Sequence, residues 1–409
     1  MFSSTEKHIT TGTHRVIAPE DTVARVRPHL RSMGITRVAD VTGLDTIGVP
    51  VVMVSRPGAR SLSVSQGKGL TLAHARASGI MESVEHFHAE NIDLPLKLRT
   101  FEEMSRSHRM LDVTRLPRLA TSAFHPRLRT LWIEARSLLT MEPVWAPFEM
   151  VHTNYSLPLP PGSGSFLMSS NGLASGNHPL EAIVHGACEL IERDATTLFR
   201  FSSPAKRRAR RLDLTTVTDI ACRQILDKYA SADIEVAVWD TTSDLGVATY
   251  KCEIVDASPD LARPLTPMSG MGCHPSRAVA LLRALTEAAQ SRLTMIAGVR
   301  DDVTYRKHAP EDIVALARAH RDAYRSEPTC RTFKDTPTIE SPTLEADLTH
   351  LRDSLQSRGL PELAAVDLSR PDFKLPVFRV LLPGLEPLHD VPGYVPGPRA
   401  QQRLREHTA

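Results

Sequence analysis

The sequence contains no CxxC pair, no apolar stretch long enough to cross a bilayer, no GxxxxGK[ST] motif and almost no net charge. Its five cysteines, Cys188, Cys222, Cys252, Cys273 and Cys330, are an odd number and lie far apart. That excludes a disulfide framework and a zinc ribbon, and it fits a reducing compartment. No run approaches the ~18 consecutive apolar residues of a membrane span, and the opening MFSSTEKHITTGTHR lacks the apolar centre of a secretion signal. The 49 Lys plus Arg are offset by 47 Asp plus Glu, a net charge of +2, so no global field draws the chain to nucleic acid or to an anionic membrane. The expectation is a cytoplasmic protein that binds neither, and any anionic ligand must be held locally. The missing GxxxxGK[ST] rules out a P-loop.

What is present is an ordinary globular composition: 409 residues, 41% hydrophobic and 23% charged, enough for two or three lobes or one large domain with a shared core. Apolar alternation and β-branched residues predict strands over 51–55, 165–169, 234–240, 247–255 and 377–382. Helical periodicity predicts helices over 21–33, 70–90, 179–199, 214–230, 275–297, 310–324 and 344–356. Proline clusters at 157–161, 258–267 and 387–398 predict loops, the last of them a tail. The basic run Lys206, Arg207, Arg208, Arg210, Arg211 has no interleaved aromatics and reads as a solvated connector rather than an RNA contact.

The chain also repeats itself. With Gly69, Gly176 and Gly272 as origins, each in a glycine-containing turn after an expected strand, an alanine follows six places on: Ala75, Ala182 and Ala278. Thirteen and sixteen residues beyond the first two glycines stand Glu82 with Glu85 and Glu189 with Glu192. The third unit carries Glu287 and Gln290 two places late, and its GCHP echoes the GNHP of the second. Three strand-turn-helix units fit a duplicated β-α element rather than a solenoid.

On the first helix, Ser78, Glu82 and Glu85 fall within roughly 60° of one another. On the second, Glu181, His185, Glu189 and Glu192 form a stripe about 80° wide. Both stripes are embedded in apolar sequence, and buried carboxylates need cationic partners. Converging glutamates outnumber the nearby arginines, and hard carboxylate oxygens select Mg2+, which commonly joins one or two carboxylates to nucleotide phosphates. Lys68 in QGKG and Asn177 in SGN add donors at the helix starts where phosphate can sit. Two other readings compete. Either helix taken alone has the spacing of a solvated surface face, and Glu85-x-x-His88 has the ExxH spacing of a di-iron carboxylate protein. The second helix has no ExxH, and His86 and His88 read as structural. Cys188, among apolar neighbours, reads as a core residue rather than a nucleophile.

SQGKGLTLAHARASGIMESVEHFHAE, SSNGLASGNHPLEAIVHGACELIERDA and LTEAAQSRLTMIAGVRDD, in that order, with GTHR near the start and FRVLLPGLEP near the end, resemble the YcaO family over nearly the whole chain. The resemblance implies an α+β YcaO fold with duplicated β-α units around a central ATP and Mg2+ site. It also implies ATP-dependent activation of a peptide backbone amide. A side-chain nucleophile then gives an azoline, an N-terminal amine an amidine, and external sulfide a thioamide.

By that resemblance the metal ligands are Glu82, Glu85, Glu181, Glu189 and Glu192, and the nucleotide contacts are Arg15, Lys68, Ser78, Ser175, Asn177, Gln290 and Arg292. Ser175 enters because the serine expected three before Asn177 is Ala174. Arg292, or else Arg300, enters because the arginine expected four after Gln290 is Thr294. No general base is assigned. The expected domains are an N-terminal α/β region over 1–60, the ATP-binding core over 61–385 and a Pro-rich tail over 386–409.

The tail, VPGYVPGPRA, departs from the PxPxP ending of many azoline-forming members and resembles the stand-alone, TfuA-associated branch instead. No separate leader-binding domain is expected within the chain. The partners implied are a precursor peptide and a TfuA-like or leader-binding protein, and a homodimer is in keeping with the resemblance. The alternative from another class is a noncatalytic nucleotide-binding adaptor of a peptide-modification complex.

Overall fold

The computed structural model describes residues 5–298 and 309–408. Helix α1 (Pro19–Val26) precedes the strands β1 (Arg37–Asp40), β2 (Val51–Ser55) and β3 (Val64–Lys68) and the long helix α2 (Leu72–Glu90). Next come β4 (Leu96–Arg99), the short α3 (Phe101–Met104), β5 (Thr130–Ser137), β6 (Pro143–Pro147), β7 (Leu173–Ser175) and a second long helix, α4 (Pro179–Arg200). After α5 (Pro204–Arg208) and α6 (Ile220–Ser231), strands β8 (Ile234–Asp240), β9 (Thr249–Asp256) and β10 (Met268–Cys273) lead to the third long helix, α7 (Arg277–Ala297). Helices α8 (Pro310–Ser326) and α9 (Leu344–Ser357), strands β11 (Ala364–Asp367) and β12 (Val377–Leu381), and α10 (Pro398–Thr408) follow.

These strands form three antiparallel sheets: β1-β2-β3, β10-β9-β8, and β4-β5-β11-β12-β7 with β6 also on β5. Helix α2 lies on β2 and β3, α4 on β7 and β12, and α7 on β9 and β10. Each contact has its own apolar core. Ile80 and Val84 of α2 join Val52, Trp132 and Leu381; Leu281 and Leu285 of α7 join Tyr229 and Tyr250; Ile183 and Ile191 of α4 join Leu351 and Val380. The N-terminal region and the core expected beyond residue 60 share one sheet, because β3 pairs with β2. Among the described residues no helix is long and apolar enough to cross a membrane.

The first and third strand-helix units pack so tightly that side chains are excluded at the crossing, and the second has the small Ala174 there. A Cβ on Gly67 would come within 2.0 Å of the Ala75 carbonyl oxygen, and one on Gly272 within 2.1 Å of that of Ala280. Gly272 therefore matches Gly67 rather than Gly69, and it lies inside β10 instead of in the turn after it. Aligned on Gly67, Ala174 and Gly272, the carboxylate positions fall fifteen residues on at Glu82, Glu189 and Glu287, with Glu85, Glu192 and Gln290 at eighteen. The apparent lag of the third unit vanishes.

Other expectations fail for local reasons. The helix expected over 21–33 stops at Val26, because Pro28 has no N–H to donate back to the Ala24 carbonyl, and continues as the 3-10 turn Arg27–His29. The helix over 214–230 is divided between a 3-10 turn, Leu214–Thr216, and α6, which restarts where Asp219 caps the Cys222 amide at 2.8 Å. Residues 165–169 form no strand. Phe166 makes one bridge to Arg118, and the Ser165 and Phe166 amides donate to the buried Glu149 carboxylate at 3.1 and 3.0 Å. The basic run is not a wholly solvated connector, since Arg211 is buried and donates to the Glu327 carbonyl at 3.2 Å. The tail is not loose either: α10 docks on α4 through Arg399 and Asp194. The four described cysteines other than Cys330 are buried, and all five are free thiols.

Candidate active site

Helices α2, α4 and α7 present equivalent faces to one cavity of about 650 Å3. Thr71 caps α2 by accepting from the His74 amide at 3.3 Å, and Pro179, preorganised for a first helical turn, opens α4. The cavity wall contains Ser78, Glu82 and Glu85 from α2, and Glu181, His185, Glu189, Glu192 and Arg193 from α4. Arg283, Glu287, Gln290 and Thr294 come from α7, Lys68 and Gln66 from β3, Ser175 from β7, Asn177 from the turn before α4, and Arg15 from the N-terminal arm.

Thus the structure gathers eleven of the twelve residues expected at the site. The twelfth, Arg292, is a correction. It points away from the cavity and is 2% exposed, with Nε on Asp45 at 2.9 Å and a two-pronged bond to Asp256 at 2.9 and 3.0 Å. Three of its five N–H donors are taken by two carboxylates that already balance its charge, and the buried side chain does not reach the cavity wall. Arg300 lies outside the described residues.

Six glutamates face the cavity against four cationic side chains, Arg15, Lys68, Arg193 and Arg283. Arg193 is shared, reaching Glu189 at 3.1 Å and Glu192 at 3.3 Å, and Lys68 is paired with Glu287. Glu85 accepts from the Ser175 amide at 2.8 Å and its hydroxyl at 2.7 Å. Even so, burial pushes the Glu85 carboxyl up to about 8, reinforced by the charges of Glu82 and Glu189. Burial likewise raises Glu192, with Glu287 and Glu189 adding to the effect against Arg193 and Arg283. Glu287 goes the other way: burial opposes its charge, but Lys68 and Arg193 outweigh burial and lower it. His185 is kept neutral by burial and by the surrounding Arg283, Arg15, Lys68 and Arg193.

Glu181 plays a second part. Its two oxygens accept from the Val16 amide at 2.6 Å and the Asn177 amide at 2.7 Å, fastening the arm that bears Arg15 to the turn before α4. Oε2 also accepts from Asn177 Nδ2 at 3.5 Å, and Oε1 keeps a further lone pair. Behind Arg15, His14, His274 and Asp347 bring ligand atoms within 4.8 Å of one another. Asp347 is already neutralised there by Lys7 at 2.7 Å, and burial together with Lys7 holds His14 down to about 4. This cluster is a strut for the arm.

The donor set fits magnesium nucleotide. Its oxygens are hard, its surplus of negative charge is expressed in the raised Glu85 and Glu192, and cations sit among the acids where phosphates would need them. Among the described residues no three glutamates bring ligand atoms within 4.8 Å of one another. That spacing suits ions held by one or two carboxylates each and completed by phosphate and water. The di-iron reading loses its histidine: His88 is not part of the cavity wall, and its ring packs edge-on against Phe87 and Phe373.

Sequence reasoning passed over Glu287, Arg193, Arg283 and His185 as site residues. Alignment on Gly67, Ala174 and Gly272 was the signal that could have found three of them. It puts His185 and Arg283 where Ser78 stands in the first unit, eleven residues on, and Glu287 where Glu82 stands.

The YcaO cyclodehydratase family model, described as ATP- and Mg2+-binding, matches residues 66–386. An uncharacterized protein from the tfuA 3' region of Rhizobium leguminosarum bv. trifolii is 36% identical over 377 residues, covering 91% of this chain and 88% of that protein. The fold is shared with a heterocyclase solved with substrate and cofactor, at a TM-score of 0.75 and 24% identity. That match covers 95% of this chain but 54% of the heterocyclase, so this chain spans about half its length. It is also shared with YcaO from Methanopyrus kandleri bound with AMPPCP and Mg2+, at a TM-score of 0.73 and 22% identity, covering 93% and 95% of the two chains. Three repeated acidic faces around one cavity thus have their counterpart in a family whose cofactors are ATP and magnesium, and the chain belongs to the YcaO family.

Proposed function

We propose that the chain activates backbone amides of a ribosomally made precursor peptide with ATP and Mg2+, leading to azoline or amidine cyclodehydration or to thioamide formation. The observation that carries the reading is the acidic make-up of the cavity: six glutamates from three repeated helices against four cations, with the Glu85 and Glu192 carboxyls raised by burial and by neighbouring glutamates. Bound magnesium nucleotide would supply an electrophilic phosphoryl group for the amide oxygen, so that the oxygen leaves as phosphate.

The chain's own residues position and neutralise. Glu82, Glu85, Glu189 and Glu192 would hold the metal ions, with Glu181 joining through its remaining lone pair. Lys68, Arg15, Arg193 and Arg283 balance phosphate charge, and Ser78, Ser175, Asn177 and Gln290 offer hydrogen bonds. Catalysis of this kind is electrostatic and positional.

Replacing Glu189 or Glu192 by Gln keeps side-chain volume and removes charge. Each variant is expected to melt like the parent and to lose peptide-dependent phosphate release by about a hundredfold or more. Undiminished release in both would overturn the assignment. The tfuA-region relative favours a TfuA-like partner. Mass spectrometry of the precursor separates the outcomes, because ring closure removes about 18 Da and exchange of oxygen for sulfur adds about 16 Da. A noncatalytic adaptor would take up magnesium nucleotide in a calorimeter yet show no peptide-stimulated hydrolysis.

A further inference from the structure

Away from the glutamate cavity, strand β4 is an open sheet edge. It pairs with β5 in the register Leu96 to Ile133 through Arg99 to Thr130, and among the described residues no other backbone group bonds to it. A strand in that position offers outward N–H and C=O groups to a further strand, although side chains already donate to two of its carbonyls, Trp132 Nε1 to Arg99 at 2.9 Å and Arg129 to Leu98 at 3.5 Å. Beside it runs a groove of about 650 Å3 whose wall includes Lys97, Arg99, Met104, His108 and Arg129.

The groove wall is mainly positive: one acid, Glu103, stands against Lys97, Arg99 and Arg129, and it feels the charges of Arg99 and Arg129. Among the described residues Lys97, Arg99 and Arg129 have no carboxylate partner in an ion pair. The acid in the wall, Glu103, is engaged by the Thr100 amide at 2.9 Å as part of the α3 capping box. Lys97 is held in place: it lies 4.4 Å from the centre of the Trp145 ring and donates to His108 Nε2 at 2.6 Å. In a strand, alternate side chains share a face, so Lys97 and Arg99 lie on one side and Leu96 and Leu98 on the other. Leu96 is 38% exposed and the neighbouring Leu94 37%.

We propose that β4 binds an extended acidic peptide segment as an added strand. Its carboxylates meet Arg99, Arg129 and Lys97 on one face, and its alternate apolar side chains meet Leu94 and Leu96 on the other. Main-chain bonds would give affinity, and the alternation of acid and apolar residues would give selectivity. The surface does not depend on the reaction proposed for the cavity.

The probe is a fluorescein-labelled decapeptide of alternating glutamate and leucine, titrated with the full chain at low ionic strength and read by anisotropy. Saturable binding is expected, weakened at least about tenfold in the double variant Arg99→Glu, Arg129→Glu. A similar loss is expected for the same peptide N-methylated at alternate residues, which keeps its charge but not its backbone donors. The double variant should retain the parent melting temperature and magnesium-nucleotide uptake, so failure here and failure of the cavity reading are separable. The proposal is overturned by no saturable binding, by equal binding of a lysine-leucine decapeptide, or by indifference to charge reversal or N-methylation. Tighter binding of polyuridylate than of the acidic peptide would also overturn it.

Discussion

Glu85 and Glu192 hold protons in a pH range where most carboxylic acids have lost theirs, which makes cation binding at this site a proton exchange. Burial is the main cause for both, and neighbouring glutamates add to it. The raised group binds its proton more tightly folded than unfolded. From the ordinary value of 4.5 up to about 8 the folded chain therefore carries protons the unfolded chain has released. Stability of the metal-free protein should fall as pH rises through that window. Metal needs the deprotonated carboxylates, so magnesium-nucleotide affinity should rise over the same span, with proton release. Calorimetry at pH 6, 7 and 8 in buffers of different ionisation enthalpy tests both. Affinity independent of pH, with no protons released, would contradict the electrostatic account of the cavity.

At the scale of elements, the site depends on how closely each helix approaches its strand, and that distance is set by residues without side chains. Gly67 of β3 faces α2 so closely that an added Cβ would lie 2.0 Å from the Ala75 carbonyl oxygen and 2.1 Å from the Gly79 amide. Both are backbone atoms that cannot rotate away. Gly67→Ala is expected to cost about 1–3 kcal/mol by overpacking and to move Glu82 and Glu85 out of the cavity, weakening nucleotide uptake. Gly43→Ala, with nothing within 4 Å of the new methyl, is the control and should be neutral in urea denaturation.

The same crowding explains what could be read from the sequence. The long helices were legible because their apolar faces repeat with helical period and their starts carry Thr71, Pro179 or Thr343. The glutamates were legible because a helix places them on one stripe. Strands β3 and β10, VSQGK and MSGMGC, were not marked out as strands, since close helix packing demands glycine where a strand pattern would show a branched residue. Arg292 was misread because spacing along a helix does not reveal a distant Asp45 and Asp256 that enclose it.

Across the whole molecule, α4 is braced by β7, β12, β10, α9 and α10. It carries Glu181, Glu189, Glu192 and Arg193, and two residues after Glu192 it carries Asp194, a fully buried carboxylate. Arg399 of α10, some two hundred residues further along, meets both Asp194 oxygens at 2.9 Å and also reaches Asp244, between β8 and β9, at 2.6 Å. Burial raises the Asp194 carboxyl in spite of this pairing, so its charge depends on Arg399 remaining in place. Removing one member of a buried pair leaves the other desolvated and uncompensated, at about 3–5 kcal/mol. Arg399→Ala should therefore lower the urea midpoint sharply. Asp194→Asn in the same chain should restore part of the loss, because the stranded charge goes with it. Arg325→Ala, which breaks a pair with Glu235 whose side chains are 52% and 30% exposed, should cost no more than about 1 kcal/mol. If Arg399→Ala proved as mild as Arg325→Ala, α10 would be an appendage, and the acidic helix would owe its position to β7, β12, β10 and α9 without it.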